Sequence, residues 1–364
     1  MTPLDFNQRF YEGNYNREDF LRRLDIASNS SHIKISMIPF GSISEPEEIL
    51  DKKFVGRKYI ELIRDCGDEI KLYKLTHSIG SGNLQNVISG KFFIFRYEDH
   101  KNAFVTITFE NSYFYHKELK PLFNSLFPDF IFTFIKSDSL KKLIQEFSDR
   151  NQITDIEIKR ASQKLRYQDD RPMSAVTWPN MQLEDAFNFI HENNGWFKSL
   201  QFEAKRFDNI VTEVSIDRQG RTRTDRQFMM VYNGFIRPSA NLLINNYRLF
   251  SNRSRRTTEN NIPRPLSIDY STDVFENVSI NRTFITAVSR LTKASVSVLH
   301  GNPYLQISIT DYIDGSSFDI WVLKSNQIII VPQLKGTVAG IKRLINHIFD
   351  TFAEGDINNY EIAV

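Results

Sequence analysis

The strongest constraint on the fold is a pattern that occurs twice. Residues 91–127 and 304–352 both read strand, turn, strand, turn, short strand, helix. In the first copy, 91–97, 103–109 and 113–115 are the predicted strands. The helix 116–126 then places Leu119, Leu122, Phe123 and Leu126 three and four residues apart. In the second, strands 304–311, 318–323 and 327–331 are separated by Asp314-Gly315 and Ser325-Asn326. The closing helix 337–352 lines up Val338, Ile341, Leu344, Ile345, Ile348 and Phe349. A helix at 282–291 and a strand at 295–299 lead into this copy. A third block, 182–232, offers a helix and then three strands (196–205, 210–216 and 227–232). Short strands with one apolar face need cover, and a helix laid across that face supplies it. The expected class is α+β: antiparallel sheets each covered by helices, in two or three domains with a recurring strand-strand-strand-helix unit. A doubly wound dinucleotide fold is excluded, because it needs strict alternation of strands and helices.

The remaining segments set the expected boundaries. Helices are predicted at 17–27, around Phe20, Leu21 and Leu24, and at 58–65, around Tyr59, Leu62 and Ile63. A Gly/Ser/Asn-rich loop covers 77–83, and 130–135 reads as a buried strand. Two helices follow, 139–147 and 154–167, the second opened by a capping-box pattern, Thr154-Asp-Ile-Glu157. Residues 168–179, with Asp169, Asp170, Pro172 and Pro179, read as a linker. Residues 241–250 fit either element type, and 251–265 read as a loop. The expected organisation is an N-terminal α+β domain (1–136), a helical connector with linker (137–177), an α+β domain with Arg-rich loops (178–265) and a C-terminal α+β domain (266–364).

Composition fits a folded, reducing-compartment protein. Apolar residues make up 41% of the 364, with 30 Phe, which is enough for real cores. Cys66 is the only cysteine, so no intrachain disulfide can form. The first residues lack a signal-peptide pattern, and no apolar run approaches the ~20 residues of a membrane helix. The expectation is a soluble, cytoplasmic protein with no membrane partner.

Charge is unevenly placed. Residues 218–264 hold ten arginines and no lysine, opposed only by Asp225 and Glu259. That stretch carries +8 while the whole chain carries +2. Arginine is planar, permanently charged and able to grip a phosphate through two hydrogen bonds, so such a concentration points to a polyanion. Arg218, Arg221, Arg223 and Arg226 fall at a predicted strand turn, interleaved with Gly220, Thr222 and Thr224. Arg253, Arg255 and Arg256 fall in a loop rich in Ser and Thr. Both groups are expected to converge on one nucleic-acid backbone. The helix pair at 139–167 is similar to a helix-turn-helix, and Lys159, Arg160 and Lys164 on its second helix would extend the footprint.

Other chemistries are weaker. Asp129 with Glu157-Ile-Lys159 has the residue types of a metal-dependent nuclease, but that motif needs its triplet on a strand, and 154–167 reads as a helix. Asp311, Asp314 and Asp319 read as strand-end and turn aspartates. No two of the seven histidines stand at metal-ligand spacing on one predicted helix, and Cys66 lacks a nucleophile's surroundings. Gly80-Ser-Gly82 lacks the Lys-Ser/Thr of a phosphate-binding loop. No catalytic set, metal or cofactor is therefore expected. The expected function is non-catalytic nucleic-acid binding, as a subunit of a larger assembly. The alternatives are a scaffold for acidic protein partners and a metal-dependent nuclease or other hydrolase.

Overall fold

Period-two alternation builds two antiparallel sheets, one in each of two units, Met1–Ile244 and Asn245–Val364. The computed structural model describes residues 10–31, 33–51, 57–79, 86–98, 100–165, 180–193, 195–301 and 304–361. In the first unit the strands are β1 (Ile35–Ser42), β2 (Lys58–Asp65), β3 (Lys71–Ile79), β4 (Asn86–Arg96), β5 (Ala103–Thr108), β6 (Phe130–Ile131), β7 (Asp155–Leu165), β8 (Met181–Gln182), β9 (Gly195–Arg206), β10 (Asn209–Asp217) and β11 (Thr222–Thr224). Their order is β2-β3-β4-β5-β1-β11-β10-β9-β7-β8, with β6 also paired to β1. The helices are α1 (Arg17–Ser31), α2 (Pro46–Leu50), the π-wound turn Phe114–Leu119 that continues into α3 (Lys120–Ser125), α4 (Ser137–Arg150), α5 (Leu183–Glu192) and α6 (Phe228–Val231), and α7 (Arg237–Phe250) contains the division between the units.

One face of this sheet is mostly apolar from β3 across to β7, with the buried hydroxyls of Thr212, Thr222 and Thr224 as its polar exceptions. Phe20 and Leu24 of α1, Leu140 and Ile144 of α4, and Phe187 of α5 share a core with Ile35, Val105, Phe202 and Val214. The other face is divided. Over β1, β3, β4 and β5 it is apolar, and Leu119, Leu122 and Phe123 cover Ile38, Phe40, Phe92 and Phe104. That is why β1 and β5 are buried along their whole length. Over β7, β9, β10 and β11 it is polar. Gln201, Glu203, Glu213, Ser215 and Arg223 alternate with the buried Leu200, Phe202, Val214, Thr222 and Thr224.

The second unit has the expected four strands and closing helix, and adds two strands that the sequence pattern does not offer, 266–269 and 356–359. Its elements are β12 (Leu266–Asp269), α8 (Val278–Ser289), β13 (Ala294–His300), β14 (Leu305–Asp311), β15 (Ser317–Lys324), β16 (Gln327–Pro332), α9 (Val338–Thr351) and β17 (Asp356–Asn359), with sheet order β13-β14-β15-β16-β12-β17. The Asn277 side chain caps α8 by accepting from the Ser279 and Ile280 amides, and Thr337 caps α9 through the Gly340 amide. The α+β class with antiparallel sheets is what the chain adopts.

Several elements differ from the sequence reading. Residues 154–167 were expected as a helix, but Asp155–Leu165 is strand β7, so no helix-turn-helix forms there. The Thr154 hydroxyl donates to the Lys205 carbonyl at 3.2 Å and accepts from the Phe207 amide at 3.0 Å; it bridges strands instead of capping a helix. Ile156 and Ile158 are buried at period two, and that alternation decides the element. Residues 58–65 form β2, also not a helix, and 113–115 open a helical segment where a strand was expected. Phe228–Val231 is helical where 227–232 read as a strand. The expected boundaries at 136 and 177 fall inside one eleven-stranded sheet, and the division lies between Ile244 and Asn245 instead of near 265. The Gly80–Asn83 part of the predicted loop and the 168–179 linker lie outside the described residues. Among the described residues no helix is long and apolar enough to cross a membrane.

Candidate nucleic-acid interface

The β10–β11 turn holds the first arginine group. Asp217 shapes it: one carboxylate oxygen accepts from the Gln219 and Arg221 amides, and the other from Lys120 Nζ at 2.8 Å. Gly220 sits at φ +72°, and a Cβ there would stand 2.6 Å from the Ser239 hydroxyl. Arg218 and Arg221 are buried, 4% and 3% exposed. The Arg218 guanidinium lies 4.0 Å from the Phe134 ring centre, and Arg221 lies 4.5 Å from that of Phe132. Arg221 also donates to Asn124 Oδ1 and stands 3.9 Å from Asp217. Burial pushes its pKa down from the ordinary arginine value, with Asp217 opposing. These two residues tie the turn to the 132–135 segment, where Ile135 N donates to the Arg218 carbonyl. At 3–4% exposure neither can meet a phosphate backbone. Arg226 is half-buried and paired with Asp225 at 3.2 Å.

Arg223 lies on the same side of the sheet as Arg221 but reaches the polar part of that face. A cavity of about 210 Å³ opens there, lined by Lys34, Ser112, His116, Arg160, Gln201, Glu213, Ser215, Arg223, Thr224 and Asp225. Arg223 Nη1 donates to Ser112 Oγ at 2.7 Å, while its buried Nε has no hydrogen-bond partner among the described residues. Lys34 and Arg160 are exposed, and no ion pair or hydrogen bond involves either side chain among the described residues. The acids of the cavity are engaged: Asp225 with Arg226 and the Glu213 amide, Glu213 with Gln201. Burial first, then Arg223 and Lys120, push the His116 pKa below its ordinary value. The cavity's open capacity is therefore donor capacity, which suits an anion.

A bulge between Ile158 and Arg160 turns both Lys159 and Arg160 toward this face. Lys159 is spent there, 3.1 Å from Glu157 and 3.2 Å from Glu203, and Lys205 joins the same network. Lys164 lies farther along β7, half-buried and opposite Trp196. Glu157-Ile-Lys159 does lie on a strand, as a nuclease triplet would. However, Lys159 and Lys205 occupy the Glu157 carboxylate, and hydrogen bonds from Lys205 and Lys159 hold its pKa below the usual range. Asp311 is paired with Arg343 at 2.6 Å, Asp314 accepts from Ser316 and Thr337, and Asp319 accepts from Gln333 at 2.7 Å. Among the described residues no three His, Cys, Asp or Glu side chains are arranged to hold a metal.

The second unit carries the other arginine group. Arg253 is 7% exposed and acts as a strut. Its guanidinium donates to the carbonyls of Leu249 (2.5 Å), Arg264 (3.4 Å) and Pro265 (3.2 Å) and to Asn359 Oδ1. Its own carbonyl accepts from the Arg264 amide at 3.0 Å, and the Ser254 carbonyl accepts from the Thr257 and Thr258 amides. The Arg255 amide is fixed to the Gln333 carbonyl at 3.0 Å. The loop is thus locked from within, and it displays Arg255, Arg256 and Arg264 to solvent. Among the described residues none of these three side chains has a carboxylate partner.

Of the ten sequence-predicted contact residues, Arg223 and Arg160 share one cavity, and Arg255 and Arg256 share one loop. Arg218, Arg221 and Arg253 are internal, Arg226 and Lys159 are neutralised, and Lys164 stands apart from the cavity. Lys34, His116 and Arg264 were missed as contact residues. Lys34, just before β1, reaches the cavity through the β1-β11-β10-β9-β7 strand order, and His116 through the π-wound turn beside it; neither placement leaves a local signal. No protein-family model matches the chain, and no curated protein is significantly similar to it.

Proposed function

We propose that this protein binds nucleic acid without its own chemistry, through phosphate contacts from Arg255, Arg256 and Arg264 in the second unit and Lys34, Arg160 and Arg223 in the first. The observation that carries the reading is the Arg253-locked loop. Three guanidinium groups are held in solvent with no carboxylate partner among the described residues, on backbone that hydrogen bonds already fix. Ordering such side chains on binding costs less than ordering a floppy loop, and each phosphate gained releases counterions. The cavity adds a second set of unfilled donors. Binding without chemistry fits a chain whose conspicuous carboxylates, Glu157, Asp311, Asp314 and Asp319, are engaged in structural bonds, and with that reading goes the proposal of a cytoplasmic binding subunit of a larger assembly.

Fluorescence anisotropy with labelled single- and double-stranded DNA and RNA of equal length tests this, with polyglutamate as the competitor that mimics an acidic protein. Binding of at least one nucleic acid, weakened by Arg255→Gln with Arg256→Gln and resistant to polyglutamate, supports the reading. Equal displacement by polyglutamate transfers the surface to acidic protein partners. No binding at low salt rejects it.

A further inference from the structure

Strand register builds the floor of the cavity beside Arg223. Arg223 pairs with Ser215, Ser215 with Gln201, and Gln201 with Arg160, so one row of side chains crosses β11, β10, β9 and β7 on the same face. Lys34 enters from just before β1, and Ser112 lies just before the π-wound turn. Only Nη1 of the Arg223 guanidinium is bonded, to Ser112 Oγ at 2.7 Å; Nε and Nη2 have no partner among the described residues. The Ser215 hydroxyl and the cationic ends of Lys34 and Arg160 have none either. Both carboxylates of the lining already accept hydrogen bonds, Asp225 from Arg226 and the Glu213 amide, Glu213 from Gln201.

We infer that this cavity takes a phosphate monoester, and that the group it takes is the terminal phosphate of a nucleic-acid strand. The choice of a strand rests on the nucleic-acid reading above; the choice of a monoester rests on the cavity. A phosphate inside a backbone carries one charge, shared by two terminal oxygens. A terminal phosphate carries nearly two charges on three oxygens. The cavity offers three cations from three directions: Lys34 from the β1 side, Arg223 from the sheet floor, and Arg160 from β7. Size points the same way. At about 210 Å³ the cavity is smaller than the pockets that enclose a whole small ligand, so the phosphate enters and the sugar behind it stays outside. A backbone phosphate would have to bring in a sugar on each side. The reach is adequate as well. Neighbouring strands lie ~4.8 Å apart, which sets Arg223 and Arg160 ~14 Å apart at the backbone, a span that two extended arginines can close around one phosphate.

Anisotropy of the full chain with DNA and RNA strands labelled at an internal base tests this. Each strand is made with a phosphate at one end, at the other end, or with hydroxyls at both. One phosphorylated form should bind about ten- to a hundredfold tighter than the hydroxyl form. Arg223→Gln should abolish that difference. Arg160→Gln, at an exposed position, should reduce it too, and it decides the matter if Arg223→Gln fails to fold. Arg255→Gln should weaken both forms by the same factor and leave the difference intact. Equal affinity of phosphorylated and hydroxyl forms overturns the monoester assignment and leaves the nucleic-acid reading standing. A difference that survives both cavity variants overturns the assignment as well. If no strand binds, calorimetry with a nucleoside monophosphate separates the two sources. Binding that is lost in Arg160→Gln then supports the monoester site and moves it to free nucleotides, and absence of binding overturns it.

Discussion

Lys342 offers the sharpest stability prediction. It lies on α9, among Ile341, Leu344, Ile345 and Ile348, and is 4% exposed. Its Nζ has no hydrogen-bond partner among the described residues, and burial alone pushes its pKa down from 10.5 to about 7. Between those values the unfolded chain holds a proton that the folded chain lacks. Stability should therefore rise with pH from about 7 to about 10.5 and be flat below that window. At about 1.4 kcal/mol per pH unit, the gap sets a ceiling of roughly 5 kcal/mol, which local relaxation and water entry would reduce to a few. Lys342→Met keeps the length of the side chain and removes the amine. It should stabilise the second unit by about 2–4 kcal/mol at pH 7 and remove this part of the pH dependence. Urea unfolding at pH 6.5, 8 and 9.5, followed through Trp321 on β15, measures both. A Lys342→Met protein that is less stable than native at pH 7, or that keeps the native slope above pH 7, would refute the reasoning.

Three further outcomes follow from the arginine geometry. Arg221→Ala should lower stability by about 2–4 kcal/mol in thermal unfolding, because it empties a buried site against Phe132 and Asp217; an unchanged melting temperature would mean that the residue is solvent-facing after all. Gly220→Ala should cost about 1–3 kcal/mol, from positive φ and the contact with Ser239, whereas Gly301→Ala, with open space around it, should sit within about 0.5 kcal/mol of native by the same measurement. Arg253→Ala should weaken nucleic-acid binding and make loop 251–264 more sensitive to proteolysis, while Arg255→Ala should weaken binding alone. Equal protease resistance in the two variants would deny Arg253 its role as a strut.

The second unit was legible because its signals are local. β14 and β15 carry their own alternation, β16 is a short apolar run, the turns carry Gly and Asn, and α9 carries its apolar stripe within one stretch of sequence. β7 was not, because Thr154 and Glu157 mimic a capping box, and the strands that claim them lie about 50 residues away. The arginine count was also legible, but the fate of each arginine was not. What removes Arg218 and Arg221 from solvent is the pair of rings Phe134 and Phe132, brought alongside by the sheet. Arg253 and Arg255 are two residues apart and have opposite roles, since one meets carbonyls from 249, 264 and 265 and the other meets water. Charge density along the chain reports the sum of such roles and not their division.

The most direct test of the central claim is the salt dependence of nucleic-acid affinity, compared between the native chain and the Arg255→Gln, Arg256→Gln, Arg264→Gln triple variant. If those guanidinium groups contact phosphates, the slope of log K against log salt should be shallower by about 2–3 in the variant, at an unchanged melting temperature. An identical slope in both proteins would contradict the claim, because the displayed arginines would then be touching no backbone.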